Sequence, residues 1–306
     1  MTDTQNEVFK SPVNKIRLFE HGAPGSQNLK LTRKYYTEDM PDGRVKHIVQ
    51  NITDPDIVPY IPDGIGNSTD RQRIPAVLII PGGAFRRLVY NFEGEDVAKW
   101  LNSMGIAAFV LECRLPSDEH DNAEDVPLID AMRAMRVIRG RAQEFGIDEA
   151  KIGVMGFSAG GFMAALLSTA YESDVYADYK YKDEYDKLSA RPDFAVCSYP
   201  VISIDDCIEA GKRYMSEEQV LERISDSKAK ILHKYNPDKL VRPDMPPVFI
   251  CETDDDRTTL SENSVGFYMA ARKAGVSAEL HIFRTGGHGY GCGDDFAQTG
   301  EWKVLF

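Results

Sequence analysis

Lys151–Phe162, KIGVMGFSAGGF, is the stretch whose reading decides the fold. A short apolar run (Ile152, Val154, Met155) enters Gly156-Phe157-Ser158-Ala159-Gly160, and an alanine-rich helical run from Met163 to Ala170 follows. The pattern reads as strand, sharp turn and helix, with a serine at the apex and small residues two places to either side. So tight a turn has no room for side chains at Gly156 or Gly160, and it holds the apical residue in a strained conformation. The Ser158 hydroxyl is thereby lifted above the sheet, over the unpaired N–H groups of a helix N-terminus. Taken alone, a glycine-rich strand–helix connection with an incidental serine satisfies the same five residues. The surrounding chain has to decide.

Upstream, Ala76–Ile80 is a continuous apolar run, as expected of a strand covered on both faces, and it ends in Pro81-Gly82-Gly83-Ala84-Phe85. Helical spacing over Glu95–Met104 leads to a second buried strand at Ile106–Leu111, and Val126–Phe145 reads as one long amphipathic helix closed by Gly146. Before these, an N-terminal β region is expected between Ile16 and Tyr60, with Val45–Ile52 following a Pro41–Gly43 turn and Ile57–Tyr60 a short second piece; residues 1–15 are polar and expected to be loose, and Ile61–Ile74 is an exposed loop. Downstream, Phe194–Tyr199, Val248–Cys251 and Ala278–Phe283 are further strands, with a helix at Ser264–Ala274. Tyr171–Ala190 is charged and tyrosine-rich and reads as solvated surface or cap. Ile204–Leu240 is expected to be a small helical, cap-like insertion over the site, clearest at Met215–Ile224, and not a second domain. Strands alternating with helices at this spacing predict one α/β domain over residues 1–306, with a mostly parallel sheet and helices on both faces. Ligands of such sheets bind beyond the carboxyl ends of the strands, where every unusual motif here lies.

A serine hydroxyl is a weak nucleophile and needs a base. Of six histidines, His288 stands out in Gly286-Gly287-His288-Gly289-Tyr290-Gly291, a glycine-flanked loop after the last strand; His281 alternates within that strand and reads as structural. The base needs a carboxylate to hold its tautomer. Asp254, Asp255 and Asp256 follow the Val248–Cys251 strand, and spacing alone leaves the choice among them open. The order Ser, Asp, His along the chain is the one an α/β-hydrolase requires. A tetrahedral intermediate needs preplaced N–H donors, expected from Ala159 and from the loop carrying Gly83 and Ala84.

The composition is that of a globular protein, and no apolar run nears the roughly 20 residues a membrane helix needs. A net charge of -12 argues against nucleic acid and anionic membranes as partners. Five cysteines without a CxxC pair, and a start (MTDTQNEVFK) lacking a basic or apolar leader region, lead us to expect a reduced, cytoplasmic protein. No metal-ligand spacing occurs, and the serine mechanism calls for no cofactor. Oligomeric state is not readable from the chain.

These motifs resemble the α/β-hydrolase superfamily and, more closely, the bacterial esterases that include acetyl-xylan-esterase-like and feruloyl-esterase-like carbohydrate esterases. The resemblance rests on His21-Gly22-Ala23-Pro24-Gly25, IIPGGAF, FEGEDVAKWLNSMGIAAFVLECRLP, VIRGRAQEFGID, IGVMGFSAGG, RPDFAVCSYPVIS, ENSVGFYMAARKAGVSAELHIF and GGHGYG. It implies Ser158 as nucleophile, His288 as base and Asp256 as acid, the family's aspartate lying six residues before the Glu-Asn-Ser at Glu262–Ser264; Asp255 is the alternative. It further implies short-chain esters as substrates, acetyl above all, on plant-derived oligosaccharides. General short-chain or feruloyl-type esterase activity is the runner-up, and a non-catalytic ligand-binding protein is the reading from another class. Phe85, Tyr199 and Arg257 are the candidate pocket residues. The chain departs from the family in carrying Ala84 where a third glycine is common, Cys113 where a tyrosine often precedes Arg-Leu-Pro, and Arg257-Thr258-Thr259 in the acid loop.

Overall fold

Strand order explains where the site must fall. The computed structural model describes residues 9–65, 73–213, 216, 218–220, 226–293 and 298–306. Among them lie β1 (Ile16–Arg17), β2 (Lys34–Asp39), β3 (Val45–Gln50), β4 (Asp56–Tyr60), β5 (Ile74–Ile80), β6 (Leu88–Val89) and β7 (Ala107–Glu112). These are followed by β8 (Ile147–Phe157), β9 (Ala195–Ser198), β10 (Val248–Thr253) and β11 (Ala278–Phe283). An eight-stranded sheet runs in the order β1-β4-β7-β5-β8-β9-β10-β11, and β2, β3 and β6 form a separate antiparallel sheet. From β7 to β11 every pairing is parallel, with β4 and β1 added antiparallel at one edge. The fold is that of an α/β-hydrolase.

Residue type follows position in the sheet. Strands β7, β9 and β10 are buried throughout, as is β5 from Ala76 onward, because helices cover both faces. At the sheet's edge, β11 alternates between half-buried and exposed positions. The chain leaves β5 through α1 (Asp96–Ser103) to β7 on one side, then passes back through α2 (Val126–Gly140) to β8 on the other. Connections that diverge in this way open a crevice above the carboxyl ends of β5 and β8. Those two ends carry the Pro81–Phe85 loop and the Ser158 turn.

Some boundaries differ from those the sequence suggests. The helix expected over Val126–Phe145 ends at Gly140, and a one-turn α3 (Ala142–Phe145) follows, closed by Gly146 at φ 68. The break falls where Gly140 lies against the Tyr185 ring, too close for a side chain. A π-turn, Asn91–Glu95, precedes α1 where a plain helix start was expected. Strand β2 lies within the expected N-terminal β region and pairs with β3 in register from Lys34↔Gln50 to Asp39↔Val45. At the N-terminus, residues 1–8 lie outside the described residues, but Phe9 already stacks on His47 and Lys15 Nζ reaches Glu112 at 2.6 Å.

Between β9 and β10 lie α5 (Ile204–Lys212) and a second helix, Asp226–Lys234; most of the expected Met215–Ile224 helix falls outside the described residues. The second helix is anchored by fully buried Ile231 and Leu232 and by Lys234 Nζ, 2.6 Å from Asp125 at the start of α2. Among the described residues no helix is long and apolar enough to cross a membrane.

Candidate active site

At the apex, Ser158 sits at φ 54, ψ −117, a conformation side-chain-bearing residues rarely adopt, between β8 and α4 (Ala159–Ala170). Backbone sterics enforce the turn. A Cβ on Gly156 would overlap the Gly160 carbonyl, and one on Gly160 would overlap the carbonyl of Ile80 at the end of β5. The turn is pinned to the neighbouring strand by the Ser158 N–H, which donates to the Ser198 carbonyl at 3.0 Å.

His288 Nε2 lies 2.9 Å from Ser158 Oγ, and His288 Nδ1 lies 2.6 Å from Asp256 Oδ2. An ionised carboxylate only accepts, so Nδ1 carries the hydrogen and Nε2 is left to accept from the serine. The three aspartates of the acid loop have separate tasks. Asp254 uses its backbone N–H to hold the Phe283 carbonyl at 2.8 Å, and Asp255 Oδ1 accepts the Gly287 N–H at 2.8 Å, which steadies the histidine loop. Asp256 alone faces the imidazole. Its Oδ1 accepts the N–H groups of Thr258 (2.7 Å) and Thr259 (2.9 Å), and Thr259 Oγ1 donates to Oδ2 at 3.0 Å. Burial by itself would raise the Asp256 pKa, but the hydrogen bond and charge of His288 and these two amides outweigh it and hold the carboxyl below its usual range. Behind it, Glu252 is fully buried and pushed well above the ordinary value, by desolvation first and by the Asp256 charge second.

On the opposite side of Ser158, the Pro81–Phe85 loop turns with Gly83 at φ 139, Ala84 at φ 57 and Phe85 at φ 62. Its fold is held by Arg86 N–H to the Gly83 carbonyl (3.2 Å) and Val89 N–H to the Gly82 carbonyl (2.9 Å). Ala159, as the first residue of α4, has no intrahelical acceptor for its N–H. Beside this loop is a small, mostly apolar cavity of about 20 Å³, open at its mouth. Phe85, Leu115, Pro127 and Met163 are among its walls, with Gly83, Ala159 and Gly160 at the serine end.

The sequence-derived pocket residues separate. Phe85 lines the cavity and packs edge-on against Phe162 at 5.5 Å. Tyr199 does not reach it: the ring is fully buried behind His288, 5.1 Å between centroids, with its hydroxyl donated to Glu93 Oε1 at 2.9 Å. The strand end that suggested a pocket-facing tyrosine turns inward, at φ 38, because its N–H is captured by the Cys251 carbonyl at 2.7 Å. Arg257 is exposed on the acid loop and is not among the residues that line the cavity. Sequence reasoning gave Met163 and Leu115 no place at the site and noted Thr259 only as part of a departure in the acid loop. Among the described residues no cluster of three or more His, Cys, Asp or Glu could hold a metal ion.

Comparison with known proteins agrees with this arrangement. An acetylxylan esterase of Xylanibacter ruminicola is 31% identical over 223 residues, 72% of this chain and 42% of the relative. Endo-1,4-beta-xylanase B of Butyrivibrio fibrisolvens is 31% identical over 227 residues, 74% of this chain and 34% of the relative. The chain therefore spans well under half the length of these curated relatives. Among solved structures, an acetyl ester-xyloside bifunctional hydrolase from Caldicellulosiruptor lactoaceticus superimposes with a TM-score of 0.68 at 37% identity, covering 83% of this chain and 86% of that one. A propionate-bound esterase from Thermogutta terrifontis, at 24% identity and a TM-score of 0.63, covers 92% of each chain and shares the fold. The sequence pattern of the BD-FAE family matches residues 65–270, and this α/β-hydrolase chain belongs to that family.

Proposed function

We propose that the chain is a serine carboxylesterase that removes short acyl groups, acetyl foremost, from plant-derived oligosaccharides. The observation that carries the reading is the unbroken chain Ser158 Oγ, His288 Nε2, His288 Nδ1, Asp256 Oδ2, at 2.9 and 2.6 Å. Ser158 Oγ attacks the ester carbonyl carbon while its proton passes to His288 Nε2. The negative charge formed on the carbonyl oxygen is met by the N–H of Ala159 and those of Gly83 and Ala84. The imidazolium, held against Asp256, then gives the proton to the departing sugar oxygen as the C–O bond breaks, which leaves an acyl-serine. Water attacks that ester by the same route in reverse, with His288 again taking the proton. The strained turn presents Oγ to both reactions without rearrangement.

Cavity size supports a short acyl group, since Phe85, Leu115, Pro127 and Met163 close the space beside the donors. The sugar portion is supported by the names of the relatives, an acetylxylan esterase and an acetyl ester-xyloside hydrolase. Rates on p-nitrophenyl acetate, butyrate and octanoate, on acetylated xylo-oligosaccharides and on a feruloyl ester, for wild type and Ser158→Ala, test the reading. The expectation is fastest turnover of acetyl esters and a loss of several orders of magnitude in Ser158→Ala. Preference for octanoate or the feruloyl ester would replace the acetyl assignment, and activity retained by Ser158→Ala would remove the serine mechanism altogether.

A further inference from the structure

Glu93 is buried, and its two carboxylate oxygens serve different loops of the site. Oε2 accepts the Gly82 N–H at 2.8 Å, in the loop that supplies Gly83 and Ala84. Oε1 accepts the Tyr199 hydroxyl at 2.9 Å, and that same hydroxyl accepts the Gly291 N–H at 3.0 Å, in the loop that carries His288. Tyr199 in turn packs its ring against His288, 5.1 Å between centroids. The oxyanion loop and the histidine loop thus meet in one hydrogen-bonded chain that runs through Glu93.

Local backbone structure is shaped around this contact. Glu93 sits inside the Asn91–Glu95 π-turn, a distortion that carries an energetic cost and is concentrated at functional positions. A Cβ on Gly82 would stand 2.8 Å from Glu93 Oε2, and a Cβ on Gly291 would stand 2.6 Å from the Phe92 carbonyl. Glycine at both positions lets two separate loops close onto the same π-turn. Burial raises the Glu93 pKa against the pull of the His288 charge and of the two hydrogen bonds, so a buried carboxyl is an expensive way to satisfy two donors. We propose that Glu93 is a positioning residue, one that locks the oxyanion donors and the His288 imidazole into a single register by bridging Gly82 and, through Tyr199, Gly291. The inference rests on the esterase reading for its kinetic consequence, but the bridge itself is independent of that reading.

Glutamine at position 93 offers one acceptor where two donors now bond: with its oxygen on the Gly82 N–H, its amide nitrogen meets the Tyr199 hydroxyl, whose own hydrogen loses this acceptor. Glu93→Gln and Tyr199→Phe should each lower kcat by about tenfold or more with KM held within about threefold, since misplaced catalytic groups affect the transition state more than binding. The double variant should lose little beyond the single ones, as members of one network are not additive. Amide hydrogen exchange supplies the readout that needs no substrate: Glu93→Gln should speed exchange at Gly82 and at Gly291 together, while melting remains cooperative. If kcat in Glu93→Gln stays within about twofold of wild type, or if Gly291 exchange is unchanged while Gly82 responds, the bridge does not couple the loops and the proposal fails. Should wild type hydrolyse no ester, it is the esterase reading that falls, and the exchange experiment decides on the bridge alone.

Discussion

Single atoms separate the three aspartates of the acid loop. Side-chain chemistry is identical at Asp254, Asp255 and Asp256, so spacing could not rank them, and family resemblance pointed to Asp256. Geometry gives the physical distinction: Asp256 lies 2.6 Å from His288 Nδ1, whereas Asp255 accepts the Gly287 N–H. Asp256→Asn presents an amide that favours the wrong imidazole tautomer, so kcat should fall by about 10³- to 10⁴-fold. Asp255→Asn keeps an oxygen for Gly287 and should cost no more than about tenfold. Kinetics of the two purified variants on p-nitrophenyl acetate check both; equal losses would mean that the two carboxylates share the work.

At the scale of elements, the β8–turn–α4 unit was legible because its constraints are local. Gly156 and Gly160 are required by backbone overlap alone. Gly160→Ala would drive a methyl into the Ile80 carbonyl, and a loss of about 3 kcal/mol or more in unfolding free energy is expected from denaturant titration. Helix α4 also lines the cavity through Met163, which no periodicity could place there because a buried methionine reads as core. Met163→Ala opens that wall, so the ratio of butyrate to acetate turnover should rise, by about fivefold or more, measured as kcat/KM on the p-nitrophenyl esters. Helix ends were less legible. The break after Gly140 depends on Tyr185, a residue 45 positions away whose ring occupies the space.

For the whole molecule, the N-terminal segment is stapled to the site's far wall by a buried polar cluster. Arg114 pairs with Asp130 at 2.7 Å, with both side chains fully buried, and donates to Ser26 Oγ at 2.8 Å. Ser26 then donates to His120 Nδ1 at 3.0 Å, and His120 Nε2 is buried without a partner. Desolvation first, and the Arg114 charge second, push the His120 pKa down to about 4 from an ordinary 6.5. Folding therefore favours the neutral ring. Between those two values the unfolded chain binds more protons than the folded one, so this contribution to stability is complete above pH 6.5 and is lost as pH falls toward 4. Asp56 and Asp118, whose carboxyls burial pushes up to about 6, act with the opposite sign, so the difference between wild type and a variant isolates the histidine. In urea titrations from pH 7 to pH 4, His120→Asn should lose less stability than wild type, by about 1–2 kcal/mol. Parallel pH curves would show that His120 does not resist protonation.

What the sequence by itself determined was whatever short-range sterics and hydrophobic pattern dictate. The buried parallel strands announce themselves as unbroken apolar runs, the Ser158 turn by glycines that backbone contact requires, and the histidine loop by its flanking glycines. Only the tertiary structure decided which side chains meet. Tyr199 was expected at the pocket and instead stands behind His288, and Glu93 joins loops separated by some 200 residues of chain, because hydrogen-bond partners across a sheet are set by strand order and not by distance along the sequence. The diverging connections around β5 bring those loops to one crevice, and no local pattern in any one of them carries that information.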